Sequence, residues 1–121
     1  MGGRGAISAS HFKSIRIMAS LGARYFFPNK VKDVDGVLRP LKMASEVTGI
    51  KAIAGAGTKT KLRDARRLAS EHRGTKPSEW RKMRGTALVD FAGVDVKAEL
   101  HWYNRVGDVQ VHEVKIKRYL L

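Results

Sequence analysis

The C-terminal third of the chain alternates between apolar and polar residues with a period of two, which is typical of β-strands. Three such segments follow one another, and we predict strands at 85–91, 94–103 and 108–120. The dipeptide Ala92-Gly93 and the segment 104–107 separate these strands as turns. Because connections this short join antiparallel neighbours, the pattern predicts a C-terminal antiparallel β-sheet meander.

The N-terminal half of the chain has apolar residues at helical spacing instead. This spacing predicts helices at 10–21, 40–48 and 60–72, of which the last has the clearest pattern. A short strand is predicted at Ile50–Ala54, and the aromatic segment Arg24–Phe27 fits either a brief strand or a packed loop. The expected fold is an α+β domain in which N-terminal helices pack on one face of the C-terminal antiparallel β-sheet meander.

A chain of 121 residues is the size of one domain, and the absence of cysteine excludes disulfides and Cys-ligated zinc. Residues 1–9 are rich in Gly, Ala and Ser and are expected to form a flexible tail, with 10–121 as a single domain. No apolar run approaches the ~20 residues of a membrane span, so we expect a cytoplasmic protein without membrane contact. The four histidines lack metal-ligand spacing, so neither a metal nor another cofactor is predicted.

The net charge of the chain is strongly positive. Twenty-four Lys and Arg residues stand against eleven acidic residues, which gives a formal charge of +13. Such an imbalance destabilises a small folded chain by self-repulsion and indicates a polyanionic partner, for which nucleic acid is our first prediction. Charge alone does not distinguish a nuclease from a protein that only binds.

Strand alternation assigns side chains to the two faces of the predicted sheet. In the segment 94–103, Leu100 and Trp102 belong to an apolar face that we expect the helices to cover, because it would otherwise be a large exposed hydrophobic patch. His112 falls on this apolar face by parity. The opposite, polar face gathers Glu99, His101, Tyr103, Glu113, Lys115 and Lys117.

Together these polar residue types fit a site that cleaves a phosphodiester bond. A histidine with a near-neutral pKa can exchange a proton with a ribose 2′-hydroxyl or a leaving oxygen, and a carboxylate can hold its ring. Lysines stabilise the charge that develops on the phosphate, and a tyrosine at the edge can stack on a base. The alternative is an ordinary exposed sheet face, on which Glu–Lys pairs stabilise neighbouring strands and His101 has a structural role.

The segment Gly55–Thr60 connects the predicted strand at Ile50–Ala54 with the helix at 60–72. It lacks the GKS/T ending of a Walker A loop, and we interpret it as a tight turn that requires glycine. The alternative is that backbone N–H groups here, together with Lys59 and Lys61, contact a phosphate of a nucleic acid.

A basic segment, Trp80–Gly85, precedes the meander. Lys82 and Arg84 are candidate contacts to a nucleic acid, as is Arg66 on the helix at 60–72. Trp80 could stack on a base, but an isolated tryptophan more often buries its large apolar area, so we expect it to pack inside the protein.

The stretch 50–117 resembles a small domain associated with phages and mobile elements. The shared pattern is a strand ending in AGxGT, a helix with RxxxxLA, W-x-K, AExHWY and a closing KxK, which here are residues 54–58, 63–69, 80–82, 98–103 and 115–117. Such domains are similar to the barnase–EndoU–colicin–RelE-like nuclease superfold. Its members are typically metal-independent ribonucleases, often toxins paired with an immunity protein or antitoxin.

The resemblance implies an endoribonuclease of phage or prophage toxin type, in which the ribose 2′-hydroxyl attacks the adjacent phosphate. It implies RNA as the substrate and an immunity protein or antitoxin as a partner. Combined with the polar face, it assigns catalysis to His101 with Glu113 or Glu99 as its partner, and to Lys115. The assigned substrate-binding residues are Lys117, Tyr103, Arg84, Lys82, Lys59 and Arg66. The alternatives are a non-catalytic nucleic-acid-binding module and a structural module of a phage particle.

Overall fold

A six-stranded mixed β-sheet dominates the structure, a computed structural model that describes residues 15–18 and 24–121. Its strands are β3 (Lys30–Lys32), β4 (Leu38–Pro40), β5 (Thr48–Gly55), β6 (Trp80–Phe91), β7 (Val94–Arg105) and β8 (His112–Tyr119). Two further strands, β1 (Ile15–Met18) and β2 (Arg24–Phe27), pair with each other in a separate antiparallel hairpin. The described residues contain one α-helix, α1 (Ala65–Glu71), and one 3-10 turn, Pro77–Glu79.

The hairpin of β6 and β7 is the longest paired unit of the sheet. The two strands pair without interruption from Trp80 opposite Arg105 to Phe91 opposite Val94. They are joined by Ala92-Gly93, whose φ angles of 53° and 85° are both positive. Positive φ at both central residues is the property of a type I′ turn, whose twist matches the twist of the flanking strands.

The six strands are arranged in the order β4-β3-β8-β7-β6-β5. Neighbouring strands are antiparallel except β3 and β8, which pair in parallel through Lys32 and Lys115. The predicted antiparallel strands at 85–91, 94–103 and 108–120 are therefore present as β6, β7 and β8, although β6 begins five positions earlier, at Trp80.

The predicted fold class is wrong, because the described part of the chain is mostly a six-stranded mixed sheet with one short α-helix and does not contain the predicted N-terminal helices packed on the meander. The region 40–48 runs from the last residue of β4 through an irregular segment to the first residue of β5 and contains no helix, and residues 15–18 of the predicted helix at 10–21 form a strand. The rest of that predicted helix, residues 10–14 and 19–21, and the predicted tail at 1–9 lie outside the described residues. The helix predicted at 60–72 is reduced to the seven residues of α1.

Residues 42–45 are not helical, because their backbone groups bind β6 and Met43 forms an antiparallel bridge with Val89. The Ala44 amide donates to the Leu88 carbonyl at 2.8 Å, and the Asp90 amide donates to the Lys42 carbonyl at 2.8 Å. Strand β4 pairs with β3 at one edge of the sheet, and Met43, only three residues later, bridges Val89 of β6 near the other edge. Because so few residues connect the two edges, the sheet curls. Helix formation would have left these hydrogen bonds unmade.

The main hydrophobic core lies inside this curl. Leu100 and Trp102 of β7 are 0% and 1% exposed, which places them on the apolar face that alternation predicts. Gly85 of β6 has no room for a side chain, because an added Cβ would lie 2.4 Å from Val47 Cγ1. The segments before β5, and not the helices, cover this face through Phe27, Val31, Leu41 and Val47.

Helix α1 packs on the opposite, polar face of the sheet. Leu68, which is fully buried, contacts a second small core with Leu62 and Trp80. Trp80 is 1% exposed and its indole N–H donates to Thr75 Oγ1 at 3.1 Å, so it packs as expected. The helix therefore covers one end of the face that carries the candidate functional residues.

No helix in the described part of the chain has the length and apolar character needed to cross a membrane.

Candidate nucleic-acid interface

Strand register brings basic residues of three adjacent strands together. Lys82 of β6 lies opposite Tyr103 of β7, and Arg84 lies opposite His101. His101 in turn lies opposite Lys115 of β8. Directly opposed residues have Cβ atoms about 4.5–5.5 Å apart, so these side chains share one surface. We use the name basic face for the four cations of β6 and β8 near this surface that form no ion pair: Lys82, Arg84, Lys115 and Lys117.

The charge of the basic face is not neutralised within the described residues. None of its four cations has a carboxylate oxygen within the 4.0 Å of an ion pair. Burial lowers the pKa of Lys82, and repulsion by Lys115 and Lys117 lowers it further, while Asp64 opposes this effect. The part of this shift that comes from Lys115 and Lys117 reflects repulsion among like charges, which a bound anion would relieve.

His101 forms a pair with Glu99 beside the basic face. Its Nε2 lies 2.7 Å from Glu99 Oε2, and the second carboxylate oxygen of Glu99 lies 3.6 Å from Arg118 Nε. The hydrogen bond with His101 is the main cause of a lowered Glu99 pKa. Burial lowers the His101 pKa despite this carboxylate, so the neutral ring donates from Nε2 to an ionised Glu99.

The other ring nitrogen of His101 is buried. The residue is 6% exposed, and Nδ1 has neither solvent access nor a hydrogen-bond partner in the described part of the chain. Lone buried acceptors of this kind are uncommon in folded proteins. The ring therefore holds an unprotonated nitrogen beneath the basic face, and a substrate would reach it only after local movement.

Tyr103 is engaged with helix α1. Its hydroxyl donates to Asp64 Oδ2, and burial together with this bond raises the pKa of Tyr103 to about 12. The Arg67 guanidinium lies 6.0 Å from the centre of its ring. Arg67 therefore lies over a ring face on which a base would stack, and Asp64 engages the hydroxyl.

Glu113 does not contact His101. Both of its carboxylate oxygens accept from Arg67, each at 2.9 Å, so it ties β8 to α1. Glu113 has a positive φ of 54° where the pairing of β7 with β8 shifts register. Of the two carboxylates predicted to partner His101, Glu99 is the one that the structure places in contact.

The predicted sheet face of His112 is wrong because of this register shift. Parity predicts it on the apolar face, but the extra residue turns it to the polar side, opposite Tyr103. There its ring packs 5.1 Å from the Trp80 ring and 4.6 Å from the His72 ring, measured between centroids. The alternation rule fails here because a β-bulge changes which side chains share a face.

Lys59 and Arg66, which the sequence assigned to substrate binding, are not part of the basic face itself. They line a separate groove with the Gly55–Thr60 loop and Pro77. The sequence analysis missed the contacts of Asp64 and Arg67 with the sheet. The available signal was that Asp64 immediately precedes α1, in the position where acidic residues often begin a helix.

Neither a metal centre nor a relative adds to this description. Among the described residues, no three His, Asp or Glu side chains are grouped so as to hold a metal ion. No family model, curated protein or solved structure significantly matches the chain. The resemblance to the ribonuclease superfold therefore stays a prediction.

Proposed function

We propose that this protein binds RNA through the basic face. The observation that carries the proposal is the register of β6, β7 and β8, which brings Lys82, Arg84 and Lys115 together on one surface. Lys117 is close enough to Lys82 to lower its pKa, and none of the four cations forms an ion pair within the described residues. Placing phosphates there would relieve the repulsion among these cations and release the counterions that RNA carries. The overall charge of +13 would speed encounter with any polyanion.

The contacts of the face favour recognition of the sugar–phosphate backbone over recognition of bases. Lysine and arginine side chains make the phosphate contacts that position a nucleic acid without reading its sequence. Tyr103 is the aromatic residue closest to these cations in register, and its hydroxyl is bound to Asp64 while Arg67 lies over its ring. We therefore expect weak sequence preference and strong salt dependence.

Fluorescence anisotropy with labelled RNA tests this proposal. The variant R84A/K117A removes two exposed cations of the basic face. We expect it to bind single-stranded RNA on the order of tenfold more weakly, with a salt slope reduced by about 1.4, because each phosphate contact contributes about 0.7. The matched control K42A/K97A also removes two exposed cations, which lie outside the four of the basic face, beside Asp90 and Leu88 toward the turn of the β6–β7 hairpin, and it should retain most of the affinity.

Equal losses in the two variants would contradict a localised interface, since only net charge would then matter. A DNA probe of the same sequence shows whether the protein prefers RNA or DNA. Tighter binding of DNA than of RNA would argue against RNA as the ligand.

Metal-independent cleavage of the bound RNA is the second candidate function, favoured by the Glu99–His101 pair. The carboxylate holds the ring by Nε2 and leaves Nδ1 unprotonated, which is the state of a general base. In the proposed reaction Nδ1 takes the proton of a ribose 2′-hydroxyl, whose oxygen attacks the adjacent phosphorus. The 5′-oxygen of the next nucleotide leaves with a proton from solvent or from the same ring, and a 2′,3′-cyclic phosphate remains.

The basic face would stabilise the charge on the phosphate in this reaction, with Lys115 opposite His101. The burial of Nδ1 requires that RNA binding or a local opening uncovers the ring. Binding without cleavage is the primary proposal because it needs no such movement.

Incubation with RNA in excess EDTA separates the two functions. If the second candidate is correct, the protein releases fragments ending in 2′,3′-cyclic phosphate, and H101Q loses cleavage by two orders of magnitude or more, in line with the about 10²–10⁴-fold contribution of acid–base groups. Glutamine keeps an amide N–H near Glu99 but cannot accept the proton. H101Q should still bind RNA, and unchanged melting would exclude misfolding. Absence of cyclic-phosphate products with wild-type protein would eliminate the ribonuclease candidate.

A further inference from the structure

A second positively charged feature lies beside the basic face. The loop after β5 and the chain around α1 form an open groove of about 680 Å³. This volume lies within the range of about 300–1,000 Å³ typical of small-molecule sites, so the groove accommodates a nucleotide unit and not only a lone phosphate. The cations along it are Lys59, Lys61, Arg63 and Arg66.

The lining of this groove contains no acidic residue. All four of its cations are exposed, and none forms an ion pair within the described residues. Surface cations of globular proteins are commonly interspersed with acidic neighbours. A groove that gathers four cations and excludes carboxylates is therefore complementary to an anionic ligand.

The loop that forms the groove wall depends on glycine. Gly55 has a φ of 89°, and a Cβ there would lie 2.4 Å from the Trp80 carbonyl oxygen. Thr58 closes the loop, because its hydroxyl donates to the carbonyl of Gly55 at 2.8 Å. The predicted tight turn is thus present, and it holds Lys59 on the outside of a rigid connection.

Register connects the groove to the basic face. Ala54 pairs with Lys82 and Gly55 with Arg81, so the loop begins one strand away from Lys82. Neighbouring strands are about 4.8 Å apart. Arg63 of the groove is close enough to contribute to the lowered pKa of Lys82. Positive charge therefore continues from the basic face into the groove.

We infer that this groove binds the sugar–phosphate backbone of RNA that flanks the segment on the basic face. The inference rests on the proposed function and extends it, because it makes the footprint of the protein longer than the sheet alone. The groove offers no stacking platform, since Trp80 is 1% exposed. Recognition in the groove is therefore independent of base identity, and it requires a ligand long enough to reach both sites.

A length series of RNA probes tests this inference. We propose 2′-O-methyl oligonucleotides, which resist cleavage through the 2′-oxygen, of about 4 and about 16 nucleotides, the limits of common single-strand site sizes. Wild-type protein should bind the long probe much more tightly than the short one, because two linked contacts act at high effective concentration. Anisotropy titrations over a salt series give both affinities and slopes.

The variant K59A/K61A removes two exposed groove cations without altering the basic face. We expect its affinity for the long probe to fall on the order of tenfold and its salt slope by about 1.4. Its affinity for the short probe should stay close to wild type, since the basic face suffices for that ligand. The control K42A/K97A, with the same net charge, should keep the gain in affinity with length.

Two outcomes overturn the inference and differ in what they say of the proposed function. If K59A/K61A retains the full gain in affinity with probe length, the groove takes no part in binding, while the basic face remains the interface. If wild-type protein binds neither probe, the proposed function fails together with the inference.

Discussion

His112 lies at a crowded position among aromatic rings, where its charged form is disfavoured. Burial lowers its pKa, and the positive potential of His72, whose ring is 4.6 Å away, lowers it further. Asp108 and Glu113 act in the opposite sense but do not compensate. The folded protein therefore holds His112 in its neutral form.

This state makes stability sensitive to mild acid. A histidine whose pKa is lower in the folded state takes up a proton more readily when the chain unfolds, so its stabilising contribution is full above its ordinary pKa of 6.5 and is lost as pH falls through the folded-state value. We expect the melting temperature to fall as the pH is lowered from about 7.5 to about 5.5, the range in which histidines titrate.

The variant H112F tests this effect, because phenylalanine keeps an aromatic ring against Trp80 and cannot be protonated. We expect the melting temperature of H112F to decrease less than that of wild type over the same pH interval. A residual loss should remain, since burial also lowers the pKa of His101. An identical pH profile for the two proteins would show that His112 does not cause the acid sensitivity.

At the scale of elements, an ion pair ties helix α1 to the sheet. Arg67 binds both oxygens of Glu113 on β8 and also lies 3.0 Å from Glu71 within the helix. A helix of seven residues is too short to be stable alone, so its position depends on such contacts and on buried Leu68. Glu113 thus binds Arg67, whereas Glu99 is the carboxylate in contact with His101.

We expect E113Q to lower the free energy of unfolding by about 0.5 kcal/mol. The value is small because both partners are about 40% exposed and solvent screens the pair. Urea denaturation measures this loss, and E71Q, which removes a single contact to Arg67, should lose less. Any RNA cleavage should survive in E113Q and fall in E99Q. Loss of cleavage in a stably folded E113Q would restore the catalytic assignment made from the sequence.

At the scale of the whole molecule, excess positive charge has opposite effects on folding and on binding. With a net charge of +13, the lysine and arginine side chains repel one another within the folded chain, whereas the same charge attracts RNA. Added salt screens both interactions. Raising ionic strength from about 0.01 M to about 0.15 M shortens the Debye length from about 30 Å to about 8 Å.

We therefore expect added NaCl to raise the melting temperature while it weakens RNA binding. Thermal melts and anisotropy titrations in the same buffers check the two signs together. The variant K42A/K97A, with less charge, should show a smaller rise in melting temperature. If salt lowers the melting temperature, the ion pairs of the fold outweigh its net repulsion.

Local sequence patterns by themselves determined the C-terminal meander and the sides of β7. Alternation placed Leu100 and Trp102 in the core and His101 on the opposite face, because the pleat of a strand turns successive side chains to opposite sides. The short Ala92-Gly93 connection similarly predicted the antiparallel hairpin. The net charge, which requires no structure, indicated a polyanionic partner.

Only the tertiary structure decided what covers each face and which polar groups meet. The segment 42–45 is not helical because its hydrogen-bond partners are on β6, more than 40 positions away, and no local pattern records such a pairing. Because of the bulge at Glu113, His112 lies on the polar face, and the carboxylate of Glu113 binds Arg67. Periodicity describes neighbours along the chain, whereas these contacts depend on long-range packing and on one extra residue in a strand.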